Sequence, residues 1–206
     1  MSAHESMEQA EHAEHAVHSN KGIALLIAVI ALFLAFSETL GKSAQTESIA
    51  RNVEAANLWA FFQAKTIRRT VVQTAAEQAK VGLGATSDDA QKSTINKQID
   101  DWQKTAARYR SEPETNEGSE QLAARAKRSE EQRDLAMARY HNFELGSAAF
   151  QIAIVLASAT IITGMVWLAW VSGLLALGGV AFVGLGLLAP EMFHHITELF
   201  AAHPVH

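Results

Sequence analysis

The feature that most constrains this fold is the segment 145–190, which contains no charged side chain. As an α-helix, residues 147–189 would be roughly 65 Å long, twice the hydrocarbon core of a bilayer at ~30 Å. The segment therefore predicts two transmembrane helices, at residues 147–168 and 171–189. Trp prefers the headgroup level of a membrane, which favours a turn near the indoles. The residues expected to mark this turn are Trp167, Trp170, Ser172 and Gly173.

A further transmembrane helix is predicted at residues 22–40. Residues 23–36 are entirely apolar, and Lys42 follows where a cleavable signal would need a small-residue cleavage site. Small residues on one helix face let a second helix approach closely in lipid. Four alanines recur at spacings of 4, 3 and 4 and form one such face: Ala24, Ala28, Ala31 and Ala35. A similar face is expected in the second span, formed by Ala153, Ala157, Thr160 and Gly164.

Residues 41–146 lie between the first and second spans and predict a long, coiled-coil-like helical hairpin outside the membrane. The segment is nearly neutral, with 16 of the 17 Lys and Arg and 15 Asp and Glu. Its first helix, expected at residues 43–80, continues the first span. Apolar residues at the i, i+3, i+4, i+7 spacing of a helix support this prediction. They are Ile49, Val53, Ala56, Ala60, Ile67 and Val71.

Two more helices follow in this segment, one at residues 88–110 with Ser87 as N-cap and one from about residue 119 into the second span. Pro113 and Gly118 separate them. Because the segment starts and ends at one membrane face, two arrangements are open: the two helices form one broken returning arm, or the first helix bends near Trp59 and Phe62. The broken arm is favoured. Heptad-like spacing marks the second helix at Ile95, Ile99, Trp102, Ala106 and Tyr109. The third helix shows a weaker face, formed by Leu122, Ala126, Ser129, Ala136, Tyr140 and Phe143.

We expect contacts with other helices at residues in the hairpin as well as in the spans. Trp59 and Phe62 belong to an aromatic cluster, which indicates either a packing site between helices or an anchor at the headgroups. Ile95, Ile99 and Trp102 form an apolar ridge with charged neighbours. A two-armed hairpin cannot bury every apolar face by itself, so the sequence predicts a homo-oligomer or a subunit of a larger membrane complex.

The two tails are polar and hold eight of the nine histidines. Residues 1–21 form a His- and Glu-rich tail that is expected to be mobile, and residues 190–206 read as a short amphipathic helix at the membrane surface. Imidazole and carboxylate groups on one helix face can hold a divalent cation. The weak candidates for such ligands are Glu8, His12, His15, Glu191, His194, His195 and Glu198. A solvated polar face is the simpler interpretation, and no metal or other cofactor is expected.

Composition excludes several classes of function. The chain has no Cys, which excludes disulfides and Cys-ligated metal centres. No basic block stands apart from acidic neighbours, so no nucleic-acid partner is expected. No charged residue lies in the middle of a span. Ion and proton carriers generally need such groups, so the sequence does not favour a transporter. No grouping of catalytic residue types stands out, and the chain is not expected to be an enzyme.

Several stretches resemble an uncharacterised family of small bacterial membrane proteins that carries a domain-of-unknown-function label. The most distinctive is Trp-Ala-aromatic-aromatic-Gln-Ala-Lys, here Trp59 to Lys65, and others are residues 108–113, 139–143 and 151–158. The resemblance covers about residues 24–189. It implies a bacterial inner-membrane protein with a helical hairpin outside the bilayer, and it implies no activity or catalytic residues.

The sequence thus predicts a multi-pass protein of the bacterial inner membrane, in contact with lipid, that acts as a non-enzymatic scaffold or accessory subunit through helix–helix association. A metal-binding or metal-responsive protein that uses the His-rich tails is the alternative. The side of the membrane that the hairpin faces stays open: its basic residues favour the cytoplasm, whereas Lys21 favours the opposite orientation.

Overall fold

The structure, a computed structural model, has α-helix as the only regular secondary structure in the residues that it describes. It describes the backbone of residues 3–85, 87–190 and 192, and the side chains of residues 21–85, 87–190 and 192. The helices of this part of the chain are α1 (Ala3–Ala85), α2 (Asp89–Arg110), α3 (Ser119–Thr163) and α4 (Val166–Leu188). The predicted all-α fold class is confirmed.

Three helical stretches are long and apolar enough to cross a membrane. They are Lys21–Ala85, Ser119–Thr163 and Val166–Leu188. The last, with 23 residues, would be about 35 Å long at 1.5 Å per residue, which suits the hydrocarbon core of a bilayer. The three predicted spans therefore coincide with three helices of suitable length and composition.

Helix α1 is continuous from the polar N-terminal segment through the first apolar run to Ala85. The predicted continuation of the first span into the next helix is confirmed, and α1 is not interrupted near Trp59 and Phe62. The backbone of residues 3–20 is also helical, where the sequence favoured a mobile tail. Ala and Glu have high helix propensity, and a helix that extends from an existing one avoids the cost of nucleation.

The connections on either side of α2 follow local chemistry. The carboxylate of Asp88 accepts a hydrogen bond from the backbone N–H of Ala90 at 3.0 Å, so Asp88 is the N-cap and the expectation of Ser87 was wrong. Residues 111–118 then connect α2 to α3. A side chain at Gly118 would meet the backbone of Ser111 and Glu112 at less than 3 Å, so this position requires glycine.

The turn between α3 and α4 lies earlier than predicted. Gly164 has φ +70°, and α4 begins at Val166 with Met165 as its N-cap. Trp167 and Trp170, which were expected to mark the turn, lie within α4. A glycine adopts positive φ without steric cost, and this conformation ends a helix more decisively than two indoles do.

Contacts between residues divide the chain into two compact units. One unit comprises Met1–Glu47 and Leu135–His206, and the other comprises Ser48–Asp134. We refer to them as the span unit and the arm unit.

Small and aromatic side chains pack the helices of the span unit together. Ile30, Phe150 and Ala153 form its buried cluster, with Leu26 and Leu34 packed against it. A side chain at Gly179 would meet the ring of Phe150 at 2.7 Å, and one at Gly186 would meet the ring of Phe143 at 2.8 Å. These glycines let α4 pack closely against the aromatic rings of α3, as small residues do between membrane helices.

Buried hydroxyls also connect the helices of the span unit. Ser37 donates to the carbonyl oxygen of Phe143 at 2.8 Å, and Ser172 donates to that of Ala153 at 2.7 Å. Asn142 donates to the carbonyl oxygens of Ala138, at 3.0 Å, and Pro190, at 3.1 Å. Each hydroxyl or amide thus finds an acceptor where water is absent, which avoids the cost of burying an unpaired donor.

The arm unit has a smaller apolar cluster with polar contacts around it. Leu58, Leu122 and Ala126 are buried, and Trp59 and Phe62 pack against them. The two aromatic rings contact each other edge to face with centroids 5.4 Å apart. The indole N–H of Trp59 donates to the carboxylate of Glu130 at 2.9 Å. This cluster fixes α1 to the start of α3.

Candidate interaction surfaces

A seven-residue repeat decides which face of α1 is buried within one chain. Small or medium-sized side chains occupy most of this face, which we call the inner seam. In the span unit its positions are Ile23, Ile27, Ile30, Leu34, Ser37, Gly41 and Ala44, all buried or half-buried. In the arm unit they are Ser48, Arg51, Ala55, Leu58, Phe62, Lys65, Arg69, Val72, Ala76, Ala79 and Leu83. Spacings that alternate between 4 and 3 are typical of helices packed as a coiled coil.

The apolar residues that indicated a helix after the first span are exposed in the structure. Ile49 is 61% exposed, Ile67 64% and Val71 62%. We call this set the outer stripe, and it consists of Ile49, Val53, Ala56, Ala60, Ile67 and Val71, each exposed in the single chain. The helix that these residues predicted is present, since α1 covers all six. Helices that pack closely prefer Ala and Ser at the contact, as at Ala44 and Ser48.

The outer stripe lies opposite the inner seam. At 3.6 residues per turn, a residue two positions away lies about 160° around the helix. Ile49 and Val53 stand two positions on either side of Arg51, a seam residue, and so point away from the rest of the arm unit. The seam carries side chains of every size, from Gly41 to Phe62, so its seven-residue spacing alone does not distinguish it from the outer stripe.

The alanines predicted as the interface of the first span are also exposed. Ala24, Ala28, Ala31 and Ala35 all lie outside the inner seam of the span unit. They therefore do not meet the small residues of the second span, a pairing that the sequence left open. Ile30 occupies that place, in the cluster with Phe150 and Ala153.

The predicted interface residues of the second span are divided by the structure. Ala153 and Ala157 are fully buried within the single chain. Gly164 lies in the turn after α3, and a side chain there would meet nothing within 4 Å. The expected helix face therefore ends at Thr160, which is buried.

The predicted interface residues of the hairpin face the chain's own core. Trp59 and Phe62 are half-buried against Leu58 and Leu122, which is the packing role rather than the headgroup anchor. Ile99 is only 7% exposed, and Ile95 and Trp102 are half-buried. The heptad spacing of α2 was read correctly, but its ridge packs within the arm unit.

A cluster of ion pairs surrounds the connection between α2 and α3. Arg108 donates to the Glu112 carboxylate at 2.8 Å, and Lys65 lies 3.7 Å from the same group. The Arg108 hydrogen bond lowers the pKa of Glu112 from its ordinary value. In the same way, the hydrogen bond from Arg110 lowers the pKa of Glu120. Lys65 also lies 5.5 Å from the centre of the Tyr109 ring. Through Lys65, this cluster links α1 to the connection between α2 and α3.

A shallow groove in the span unit brings together several polar groups. It is lined at one end by Glu38 and Lys42 of α1 and by Tyr140 and Glu144 of α3. The Tyr140 hydroxyl lies 3.4 Å from a Glu144 carboxylate oxygen, and Gln151 donates to Glu38 at 3.4 Å. Tyr140 and Glu144 are therefore partners in the groove, as are Gln151 and Glu38, and the groove forms a polar boundary between α1 and α3.

The predicted metal ligands lie outside the described side chains. Glu8, His12 and His15 belong to a segment of which the structure describes the backbone alone, and Glu191, His194, His195 and Glu198 lie outside the described residues. Among the side chains that the structure describes, no three His, Cys, Asp or Glu come together as a possible cation site.

Comparison with known proteins gives one match. The family model described as Domain of unknown function (DUF4337) matches residues 19–189. The chain belongs to this family. The matched segment extends from the end of the polar tail to Ala189, the first residue after α4, and the resemblance noted in the sequence is confirmed. No curated protein and no solved structure matches the chain.

Proposed function

We propose that this DUF4337 protein is a non-enzymatic scaffold or accessory subunit of the bacterial inner membrane that acts through helix–helix association. The observation that carries the proposal is the division of α1 into two apolar faces. The inner seam is used for packing within the chain, whereas the outer stripe and the four span alanines stay exposed.

A long helical hairpin is the architecture that we propose for the segment between the first and second spans. Within the arm unit, the earlier a residue comes in α1, the later its partner comes in the rest of the unit. Lys65 contacts Glu112, Trp59 contacts Glu130, and Asn52 accepts a hydrogen bond from Arg133. This order supports an antiparallel return in which α2 and the start of α3 act as one broken arm.

The two exposed faces favour association for different reasons, because they lie in two different solvents. Outside the membrane, contiguous apolar surface on a helix is typical of a protein–protein contact. Inside it, lipid supplies no hydrophobic drive between helices, so alanines that permit close approach are the usual basis of association.

Association in native membranes tests this function. The protein is extracted in two mild detergents and in lipid nanodiscs, and its mass is measured together with any co-purifying chains. We expect an assembly larger than one chain in all three. A single chain in all three, with no partner, would overturn the proposal.

A variant pair tests the contribution of the span alanines. Ala31→Phe fills the exposed alanine face and should weaken association. Leu25→Phe places the same ring at a lipid-exposed position of the same span and serves as the control, since Leu25 is already large and 67% exposed. Equal assembly of both variants would exclude the alanine face from the contact.

A further inference from the structure

We infer that a groove between α1 and α2 binds a phosphate group, either as inorganic phosphate or as part of a larger molecule. This inference goes beyond the proposed scaffold function and does not depend on it. We call the site the arginine groove, and it lies entirely within the arm unit. The residues that line it include Arg69 and Gln73 of α1 and Gln103, Ala106, Ala107 and Arg110 of α2.

Arg69 is a cation of the inner seam without a partner. Three seam positions of the arm unit carry a positive charge, and the other two are paired. Arg51 lies 3.0 Å from the Glu54 carboxylate, and Lys65 lies 3.7 Å from that of Glu112. Arg69 forms no hydrogen bond or ion pair with a described residue, and its Nε is buried. A partly buried charge is costly without a partner, so an anion from outside the chain stabilises this position.

Small side chains of α2 leave room beside Arg69. Ala106 and Ala107 line the groove on this side, where longer side chains would fill it. The cavity has a volume of about 250 Å³, below the roughly 300–1,000 Å³ of pockets for drug-sized ligands. The groove therefore suits a small anionic group better than an extended ligand.

The donors that line the groove favour phosphate over carboxylate. Its charged lining residues are Arg69 and Arg110, and the amides of Gln73 and Gln103 can also donate. The Nε of Arg110 donates to Glu120 at 2.8 Å, which leaves the terminal nitrogens of this guanidinium for another acceptor. Guanidinium groups bind phosphate oxygens in pairs. A phosphate monoester carries about −1.5 to −2 charges at pH 7 and offers three oxygens, so it matches two guanidiniums better than a carboxylate does.

Titration calorimetry with inorganic phosphate tests the inference on the full chain in phosphatidylcholine nanodiscs. Sodium chloride at equal ionic strength is the reference, and we expect saturable binding of phosphate by the wild type. Arg69→Gln should weaken this binding about tenfold or more, because a charge-assisted hydrogen bond is lost. Arg68→Gln is the matched control, since it removes the same charge from an adjacent, exposed residue that does not line the groove.

A second variant pair tests the groove without a change at Arg69. Ala107 is exposed, so Ala107→Glu should retain the helix content, which circular dichroism measures. The new carboxylate competes with phosphate for the arginines and should abolish binding. Ala90→Glu adds the same group at an exposed position of α2 outside the groove and should bind phosphate as the wild type does.

The outcomes identify the ligand and separate this inference from the proposed function. No binding beyond the sodium chloride reference overturns the inference, as does equal weakening by Arg68→Gln and Arg69→Gln or unchanged binding by Ala107→Glu. Sodium acetate that binds as tightly as phosphate also overturns it, because the groove then takes a carboxylate, such as an acidic side chain of a partner protein. Nanodiscs with added phosphatidic acid distinguish the two sources of phosphate: loss of free-phosphate binding there supports a lipid headgroup, and retained binding supports a soluble phosphate compound. A single chain that binds phosphate would overturn the scaffold function alone.

Discussion

The two units of this chain pack their helices together with different chemistry. The span unit uses glycines against Phe143 and Phe150 and hydroxyls that donate to backbone carbonyls. The arm unit uses Leu58 and Leu122, with ion pairs and an indole–carboxylate hydrogen bond around them. Where lipid offers no hydrophobic drive, close packing has to hold helices together. Where water surrounds a narrow helix pair, a few buried side chains and polar contacts share that task.

The strongest test of this difference is truncation in the apolar cluster of the arm unit. Leu58→Ala removes the centre of a cluster with few other buried members and should destabilise by about 2–5 kcal/mol, the range of buried Leu-to-Ala changes. Phe61→Ala removes more atoms from a side chain that is 64% exposed and should cost far less. Chemical denaturation in detergent measures both. Similar costs would show that the arm unit is not held by this cluster.

In the span unit, a side chain added at a tightly packed glycine should destabilise the fold. Gly179→Val pushes a side chain against the buried ring of Phe150 and should destabilise by about 1–3 kcal/mol. Gly178→Val makes the same change one residue earlier, where a side chain would meet nothing within 4 Å. Thermal unfolding of the two variants in one detergent compares them. A Gly178→Val variant that is as unstable as Gly179→Val would show that contact with Phe150 is not the cause, since Val has a higher helix propensity than Gly.

A buried hydroxyl should matter less than the packing. Ser172→Ala removes the hydrogen bond to the Ala153 carbonyl and should cost about 0.6–1.7 kcal/mol, as interhelical hydrogen bonds do in membranes. Ser158→Ala is the control, since Ser158 donates to Ile154 within its own helix. The difference in unfolding midpoint between the two variants isolates the contact between helices. No difference would show that close packing alone holds α3 and α4.

The smallest effect is expected from pH, and it should be confined to the arm unit. The pKa values of Glu112 and Glu120 lie below their ordinary value of 4.5 because each accepts a hydrogen bond from an arginine. Their ion pairs therefore stabilise the fold above that pH and lose their contribution as the pH falls through the lower, folded-state pKa values. We expect the unfolding midpoint to fall with acidification, and Glu112→Gln to reduce this dependence. An unchanged dependence in the variant would contradict the assignment.

Element type and order were predictable because they depend on local properties. The charge-free segment, the length of the apolar runs and the breaks at Pro113 and Gly118 led to the helices that the structure contains. The turn after α3 was placed too late because the indoles were weighed above Gly164, whose positive φ ends the helix. Backbone conformation at one glycine outweighed a preference of side chains for the membrane surface.

The sequence by itself determined that this is an all-helical member of its family with three helices able to cross a membrane. Only the tertiary structure decided which face of α1 is buried. Both faces carry apolar residues at helical spacing, so periodicity alone could not separate Ala55 and Leu58 from Val53 and Ile67. Which face is buried depends on how closely a neighbouring helix can pack. Small residues at Ala44, Ser48 and Ala55 permit close packing. Ile49, Val53 and Ile67 are left outside, where they mark a surface available to a partner.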